Sequence, residues 1–297
     1  MADSNNMSDL WKRLRFVLIG IIVYRIGTHI PIPGIDPQRL SSLFDQNQGT
    51  ILELFNLFSG GALERMSIFA LNVVPYISAA IIMQLFSNSI PYLIELKKDG
   101  QAGRNAITQY TRYGTVLLAF IQASALAVTL SSGGLAYNPG TAFFVSAVFS
   151  VVAGTIFLMW LGEQISERGI GNGISIIIAT SILTGIPSAI GQALEQARQG
   201  DLNILMLLSI GVLAMVVIAV VVFIERGQRR ITVNYAQRQQ GRKLMQAQAS
   251  HLPFKVNMAG VIPAIFASTF LLFPASLSTW FGQGENFGFL QSISLAL

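Results

Sequence analysis

Seven apolar stretches, each close to the length of a bilayer-spanning helix, constrain this chain more than any other feature of its sequence. A helix rises about 1.5 Å per residue, so about 20 apolar residues cross the hydrocarbon core of a membrane. Only 11% of the 297 residues are charged, whereas soluble domains carry roughly 25%. We therefore predict an all-α polytopic membrane protein with spans at residues 14–30, 68–86, 113–130, 142–161, 173–190, 202–223 and 257–280.

The distribution of Lys and Arg predicts how these spans are oriented. Fifteen of the 19 basic residues fall in the N-terminal tail and in the loops after the second, fourth and sixth spans, and three fall on the other side. Basic loops stay in the cytoplasm, so we predict a cytoplasmic N-terminus. The remaining basic residue, Arg25, lies within the first span. Pairing inside the bundle or exposure to a wet cavity would each account for it.

Residue patterns of catalysis and of nucleotide or metal binding are missing from the sequence. It contains no cysteine, no HExxH, GxSxG or P-loop motif, and no pair of carboxylates within a predicted span. The glycines of ERGIGNGIS join two spans instead of following a strand. We interpret them as an interfacial turn, with Asn172 or Gly173 near the start of the next helix. We expect neither an enzyme nor a cofactor.

A short polar segment before the second span needs a protected environment. In FNLFSGGALERMSIFAL, Gly60 and Gly61 interrupt helical structure. The following ALERMSIFAL then predicts a short amphipathic helix that carries Glu64 and Arg65. A charged half-helix cannot face lipid, so it must lie in a water-filled cavity or against protein. The alternative is a surface helix that rests on the membrane.

A faint internal repeat relates the second and seventh predicted spans. Both contain the pattern P-x-I-x-A, at residues 75–79 and 263–267. The two spans run in opposite directions, with the five-span separation of an inverted repeat. The match is short, so chance similarity is the alternative.

The loop at residues 225–255 is the most basic part of the chain. Within it, RRITVNYAQR alternates in polarity like a β-strand. A basic protrusion of this size suits an anionic partner such as ribosomal RNA or lipid headgroups. The alternative is that its charges only set the membrane topology.

Several motifs together resemble the SecY family, the channel subunit of the bacterial Sec protein translocon. ALNVVPYISAAIIMQL resembles the family's second-span signature, and WLGEQISERGIGNGISIII resembles its signature between the fourth and fifth spans. RIGTHIPIPGID, FNLFSGGAL, ERGQRRITVNYAQRQQGR and HLPFKVNMAGVIPAIFAS are also similar. The resemblance implies a SecY-type inverted-repeat helical bundle. It also implies a protein-conducting channel that moves unfolded secretory polypeptides across the bacterial cytoplasmic (inner) membrane and membrane proteins laterally into it.

The resemblance also implies how the chain is divided. We expect an N-terminal five-helix half at residues 1–190, which includes a plug at 55–67. A partial C-terminal half follows at residues 191–297, with the basic cytoplasmic loop at 225–255. The family has ten spans, so a bundle of seven is expected to be truncated after the seventh transmembrane helix.

Site residues follow from the resemblance, position by position. Val73 and Ile77, like Ile174 and Ile178, are four residues apart and share a helix face. The implied pore ring comprises Val73, Ile77, Ile174, Ile178 and Ile265. The implied plug residues are Phe55, Phe58, Ser59, Gly60, Gly61, Glu64, Arg65 and Ser67. The implied partner-docking residues are Arg238, Arg242 and Lys243. The implied bends in the gate helices are Pro75 and Pro263.

The implied partners are the small subunits SecE and SecG, the motor ATPase SecA, the ribosome, signal sequences with their nascent chains, and membrane lipid. Two other classes remain as alternatives. An ion-coupled secondary transporter would share inverted repeats but would need a polar midplane site. The spans offer little beyond Asn72, Gln84 and Asn257. An intramembrane enzyme would need a nucleophile and a base, which the spans lack.

Overall fold

The computed structural model describes residues 3–36, 39–40, 56, 59–199, 203–233, 239–240, 243–244 and 250–257. Its helices are α1 Asp3–Gly27, α2 Val74–Ser89, α3 Pro91–Lys98, α4 Gln101–Ser132, α5 Thr141–Arg168, α6 Gly173–Gln199 and α7 Ile204–Arg226. The described residues up to Ala189 belong to one compact unit, and those from Ile190 to a second.

Most of the predicted spans are confirmed as helices. Among the described residues, α4, α5, α6 and α7 are each long and apolar enough to cross a membrane. Helices α2 and α3 pass the same test together as a bent pair. The first predicted span, 14–30, is helical as far as Gly27 and exposes apolar side chains such as Leu18 and Ile22. The seventh lies outside the described residues from Met258 onward.

The second span begins six residues later than predicted. Residues 68–73 form turns, and α2 starts at Val74. Asn72 has a positive φ of 49°, which interrupts helical geometry. Pro75 lies in the first turn of α2, where its missing N–H costs no hydrogen bond. Pro75 therefore removes no hydrogen bond from the interior of α2, and its role as a bend in a gate helix stays a prediction. The chain bends after α2 at Ile90, and α3 points 94° away.

Small side chains bring α4 and α5 together in the first unit. Ala119, Ala123 and Ala127 recur every four residues on α4 and are at most 1% exposed. They share a hydrophobic cluster with Ala147 and Val151 of α5. A stripe of small residues lets two helix backbones approach closely, which is how helices pack in lipid. This pair forms a closely packed side of the first unit.

In the second unit, α7 leads into an antiparallel hairpin. Strand β1 Gln228–Val233 pairs with β4 Ser250–Lys255, so that Gln228 faces Lys255. Strand β2 Gln239–Gln240 pairs with β3 Lys243–Leu244. The predicted strand in the basic loop is thus confirmed at residues 228–233.

Candidate functional site: an apolar cluster and the segment beneath it

Four of the five residues assigned to the pore ring lie in one hydrophobic cluster of the first unit. Val73 belongs to the buried core of this cluster, and Ile77, Ile174 and Ile178 pack against it half-buried. The Ile77 N–H donates to the Val73 carbonyl at 3.0 Å, so both side chains project from the same face of α2. We call these four side chains the apolar cluster. The fifth residue, Ile265, lies outside the described residues.

The start of α6 positions the second pair of these side chains. Asn172 Oδ1 accepts hydrogen bonds from the N–H groups of Ile174 at 3.0 Å and Ser175 at 3.3 Å, which is an N-cap. A Cβ on Gly173 would lie 2.0 Å from the Gly162 carbonyl oxygen, so the turn packs backbone against backbone on α5. The predicted turn and helix start are confirmed.

Residues 59–67, which we call the plug segment, form turns beside the hydrophobic cluster to which Val73 belongs. Ala62 is fully buried within it. Gly60, Gly61 and Met66 have φ values of 67°, 78° and 41°. A left-handed Met66 in the middle of ALERMSIFAL is incompatible with an α-helix there, and residues 62–71 form turns and a bridge instead. The predicted amphipathic helix in ALERMSIFAL is therefore wrong.

Backbone contacts hold the C-terminal end of the plug segment. The Ile32 N–H donates to the Met66 carbonyl at 2.8 Å, and the Ile68 N–H donates to the Ile30 carbonyl at 3.0 Å. On the opposite side, a Cβ on Gly154 of α5 would lie 2.0 Å from the Ile68 carbonyl oxygen. The chain after the plug segment is thus fixed between the end of α1 and the middle of α5.

The charged side chains near the plug segment avoid the apolar cluster. Glu64 and Arg65 are exposed, and Glu64 accepts a hydrogen bond from Asn56 Nδ2 at 3.0 Å. Arg25, the charge within the first predicted span, is half-buried and donates from Nη1 to the Gly60 carbonyl at 3.3 Å. This contact supports pairing inside the bundle as the explanation for Arg25.

A buried cluster of hydrogen-bonded polar side chains was not predicted from the sequence. The Tyr24 hydroxyl of α1 lies 2.6 Å from Ser181 Oγ of α6 and donates to the Ser59 carbonyl at 3.2 Å. Asn72 Nδ2 donates to Ser181 Oγ at 3.0 Å. A lone Tyr and a lone Ser in apolar spans carry no sequence signal, because they are 157 residues apart and meet only in the fold.

Several predicted site residues lie outside the described residues, namely Phe55, Phe58, Arg238, Arg242, Pro263 and Ile265. Lys243 is the first residue of β3. In the part of the chain that the structure describes, no group of three or more His, Asp and Glu residues could hold a metal ion. The described part of the site thus consists mainly of apolar side chains, with the hydrogen-bonded residues Tyr24, Asn72 and Ser181 beside them.

Comparison with known proteins identifies the family. The SecY family model matches residues 67–296. The chain belongs to the SecY family. A protein translocase subunit SecY from Pseudomonas aeruginosa is 63% identical over 295 residues, which cover 99% of this chain and 67% of that protein. The Escherichia coli K12 subunit of the same name is 58% identical over 300 residues, which cover all of this chain and 68% of that protein.

Solved structures agree on the SecY fold. One, described as the structure of a protein conducting channel, has a TM-score of 0.66 and 20% identity, and the match covers 91% of this chain and 59% of that chain. Sec61 in the canine ribosome–channel complex has a TM-score of 0.65 and 19% identity, with 91% and 60% covered. The predicted fold class, an all-α polytopic bundle of the SecY type, is confirmed. The chain spans about two thirds of its curated relatives and about 60% of these solved chains.

Proposed function

We propose that this chain forms part of a protein-conducting channel. It would move unfolded secretory polypeptides across the cytoplasmic membrane and release membrane proteins laterally into the lipid. The observation that carries the proposal is that Ala62 of the plug segment and the four side chains of the apolar cluster belong to one hydrophobic cluster. The relatives are named as a translocase subunit and a channel. Those names favour this function over an enzyme or an ion-coupled transporter.

The apolar cluster forms part of a pore ring, to which Ile265 contributes from the seventh predicted span. Branched apolar side chains exclude water and ions from a narrow passage. They offer no hydrogen bonds that would select one polypeptide sequence over another. Ordinary core packing would bury the same side chains, but only a pore ring predicts that polar substitutions among them open an ion leak.

Residues 55–67 act as a plug beneath the ring. Turns and hydrogen bonds from Tyr24, Arg25 and Ile32 hold the described part of this segment, and its buried side chains include Ala62 and Met66. Such a segment can leave without melting a helix, because residues 60–67 form turns and a bridge instead of a helix. The exposed Glu64 and Arg65 need no partner in the apolar cluster when it moves.

A lateral gate is lined by the second span (α2), the third span (α4) and the seventh predicted span. A signal sequence is an apolar helix, so it requires a slot that opens to lipid and has no need of a polar site. One face of α2 is suited to line this slot, because Ile82, Leu85 and Phe86 are exposed. Since Pro75 lies in the first turn of α2, we assign the movement of this helix to the turns at its two ends.

The orientation and partners complete the proposal. A cytoplasmic N-terminus places the β1–β4 hairpin in the cytoplasm of a bacterial cell, at the inner membrane. There Arg238, Arg242 and Lys243 dock SecA or the ribosome, in line with a similar Sec61 fold solved in a ribosome–channel complex. SecE and SecG flank the bundle. Residues 1–190 form one half of the channel, and residues 191–297 form part of the other.

Photo-crosslinking to a stalled secretory chain tests this function in membrane vesicles that contain the assembled channel. A photoreactive residue at Ile77 or Ile178 should capture the mature part of the stalled chain. One at Ile82 on α2 should capture its signal sequence. Phe149 on α5, which is 66% exposed, is the control and should capture neither. Equal capture from Phe149 and Ile77, or none from Ile77 and Ile178, would contradict the proposal.

A further inference from the structure

We propose that the hydroxyl groups of Tyr24 and Ser181 form a switchable latch on the plug. They have one complete set of hydrogen bonds when the plug is docked and another when it is released. The inference rests on the proposed function in one respect, since it requires residues 55–67 to leave their site. It concerns the hydrogen bonds that hold the plug in the docked state and those that lower the free-energy cost of its release.

In the docked arrangement, each of the two hydroxyl hydrogens takes part in one hydrogen bond. Asn72 Nδ2 donates to Ser181 Oγ at 3.0 Å, and Ser181 donates to the Tyr24 oxygen at 2.6 Å. Tyr24 then donates its own hydrogen to the carbonyl of Ser59 at 3.2 Å. Since a hydroxyl has one hydrogen and two lone pairs, this order satisfies both hydroxyl groups. It ends on the backbone of the plug segment.

A second arrangement requires no contact with the plug. Ser181 Oγ also lies 2.9 Å from the Ile177 carbonyl of its own helix, within donating distance. If the Ser181 hydrogen rotates to that carbonyl, Ser181 Oγ becomes free to accept the hydrogen of Tyr24. Both hydroxyl groups are again satisfied, with Ser59 absent. Release therefore strands no buried donor, which would otherwise be costly.

The surroundings hold both hydroxyl groups in place for this exchange. Tyr24 is 1% exposed and its ring stacks on Phe69 with centroids 6.1 Å apart. Ser181 is fully buried on α6. A Cβ on Gly60 would lie 3.1 Å from the Ser181 Cα, so the plug backbone lies directly against α6. Only the hydrogens and the plug need to move.

Removing one hydroxyl or the other should therefore have opposite effects. Tyr24→Phe leaves the buried Ser59 carbonyl without this donor in the docked state alone, so it favours release. Ser181→Ala leaves the Tyr24 hydroxyl without an acceptor in the released state alone, so it favours docking. Asn72 loses the same bond to Ser181 in both states, so that loss cancels. A static hydrogen bond would give both variants the same sign.

The test measures resting ion conductance in vesicles that contain the assembled channel. Tyr24→Phe should raise this leak about 2- to 12-fold, the factor that corresponds to about 0.5–1.5 kcal/mol for one net hydrogen bond. Ser181→Ala should leave the leak at or below the unmodified level. The double variant should leak like Tyr24→Phe, because the Ser59 carbonyl loses the same donor.

Thr155→Val on α5 is the matched control. Its buried hydroxyl donates to the Val151 carbonyl of its own helix at 3.0 Å, and its loss should change nothing.

Deletion of residues 55–67 separates the latch from the plug itself. If the deletion raises the leak while Tyr24→Phe and Ser181→Ala shift it in the same direction or not at all, the latch is wrong and the plug stands. If the deletion leaves the leak unchanged, the plug fails as well. An elevated leak after deletion and in Tyr24→Phe, with Ser181→Ala at or below the unmodified level, is the result that supports the latch.

Discussion

At the scale of single residues, glycines on α1 and α5 leave room for the chain that leads into α2. A Cβ on Gly27 of α1 would lie 1.9 Å from the ring of Phe69, and one on Gly154 of α5 would lie 2.0 Å from the Ile68 carbonyl oxygen. The Phe69 ring is itself stacked between Tyr24 and Phe157. These neighbours cannot move without shifting the turns that lead into α2. The two glycines therefore determine where the apolar cluster and the plug segment meet.

We predict that Gly154→Ala destabilises the folded bundle by about 1–3 kcal/mol, the usual cost of overpacking. Gly114→Ala on α4 is the matched control, because its Cβ would lie an ordinary 3.6 Å from the Ala79 Cβ. Ala is also the better helix former, so this control should be neutral or slightly stabilising. Thermal unfolding of the purified channel in detergent measures both. Equal melting temperatures for the two variants would show that the close approach at Gly154 is relaxed at no cost.

At the scale of elements, the sequence predicted structure well where the signal is periodic and local. The alternation in RRITV predicted strand β1, and apolar length predicted the helices from α4 to α7. The turns at residues 59–73 were missed for a physical reason. Met66 and Asn72 adopt left-handed backbone conformations, and contacts with distant residues such as Ile30 and Ile32 hold the segment in place. Local propensity cannot anticipate such contacts, since tertiary packing overrides it.

The docking prediction falls on the chain between β1 and β4. Arg242→Glu should weaken binding of the assembled channel to the ribosome or to SecA about tenfold or more, as expected for loss of a hydrogen bond worth about 1.5–3 kcal/mol between charged groups. Arg229→Glu, an exposed position on β1, makes the same charge change and should have a smaller effect. The difference should shrink as ionic strength rises, because salt screens exposed charges. Unaltered affinity of the Arg242→Glu channel for both the ribosome and SecA would leave these basic residues as topology signals only.

At the scale of the whole molecule, the first unit contains two separate hydrophobic clusters. The alanine stripe of α4 packs on α5 in one cluster. The second cluster joins α1, α5 and the start of α6 to Val73 and Ala62. Family motifs in the sequence predicted the fold and the four side chains that meet in this second cluster. The hydroxyl contacts of Tyr24 and Ser181 were beyond prediction, because they exist only after helices far apart in sequence have packed.

Resting ion conductance of vesicles with the assembled channel tests most directly whether the apolar cluster seals a pore. Ile77→Ser with Ile178→Ser should raise the leak, because hydroxyl groups in the constriction allow it to hydrate. Leu183→Ser with Ile186→Ser makes the same kind of change at exposed positions of α6 and should leave the conductance unchanged. A leak from the cluster variant alone is the predicted result. Conductance that stays at the unmodified level in the cluster variant, while the channel still assembles, would show that these side chains are ordinary core and do not seal a pore.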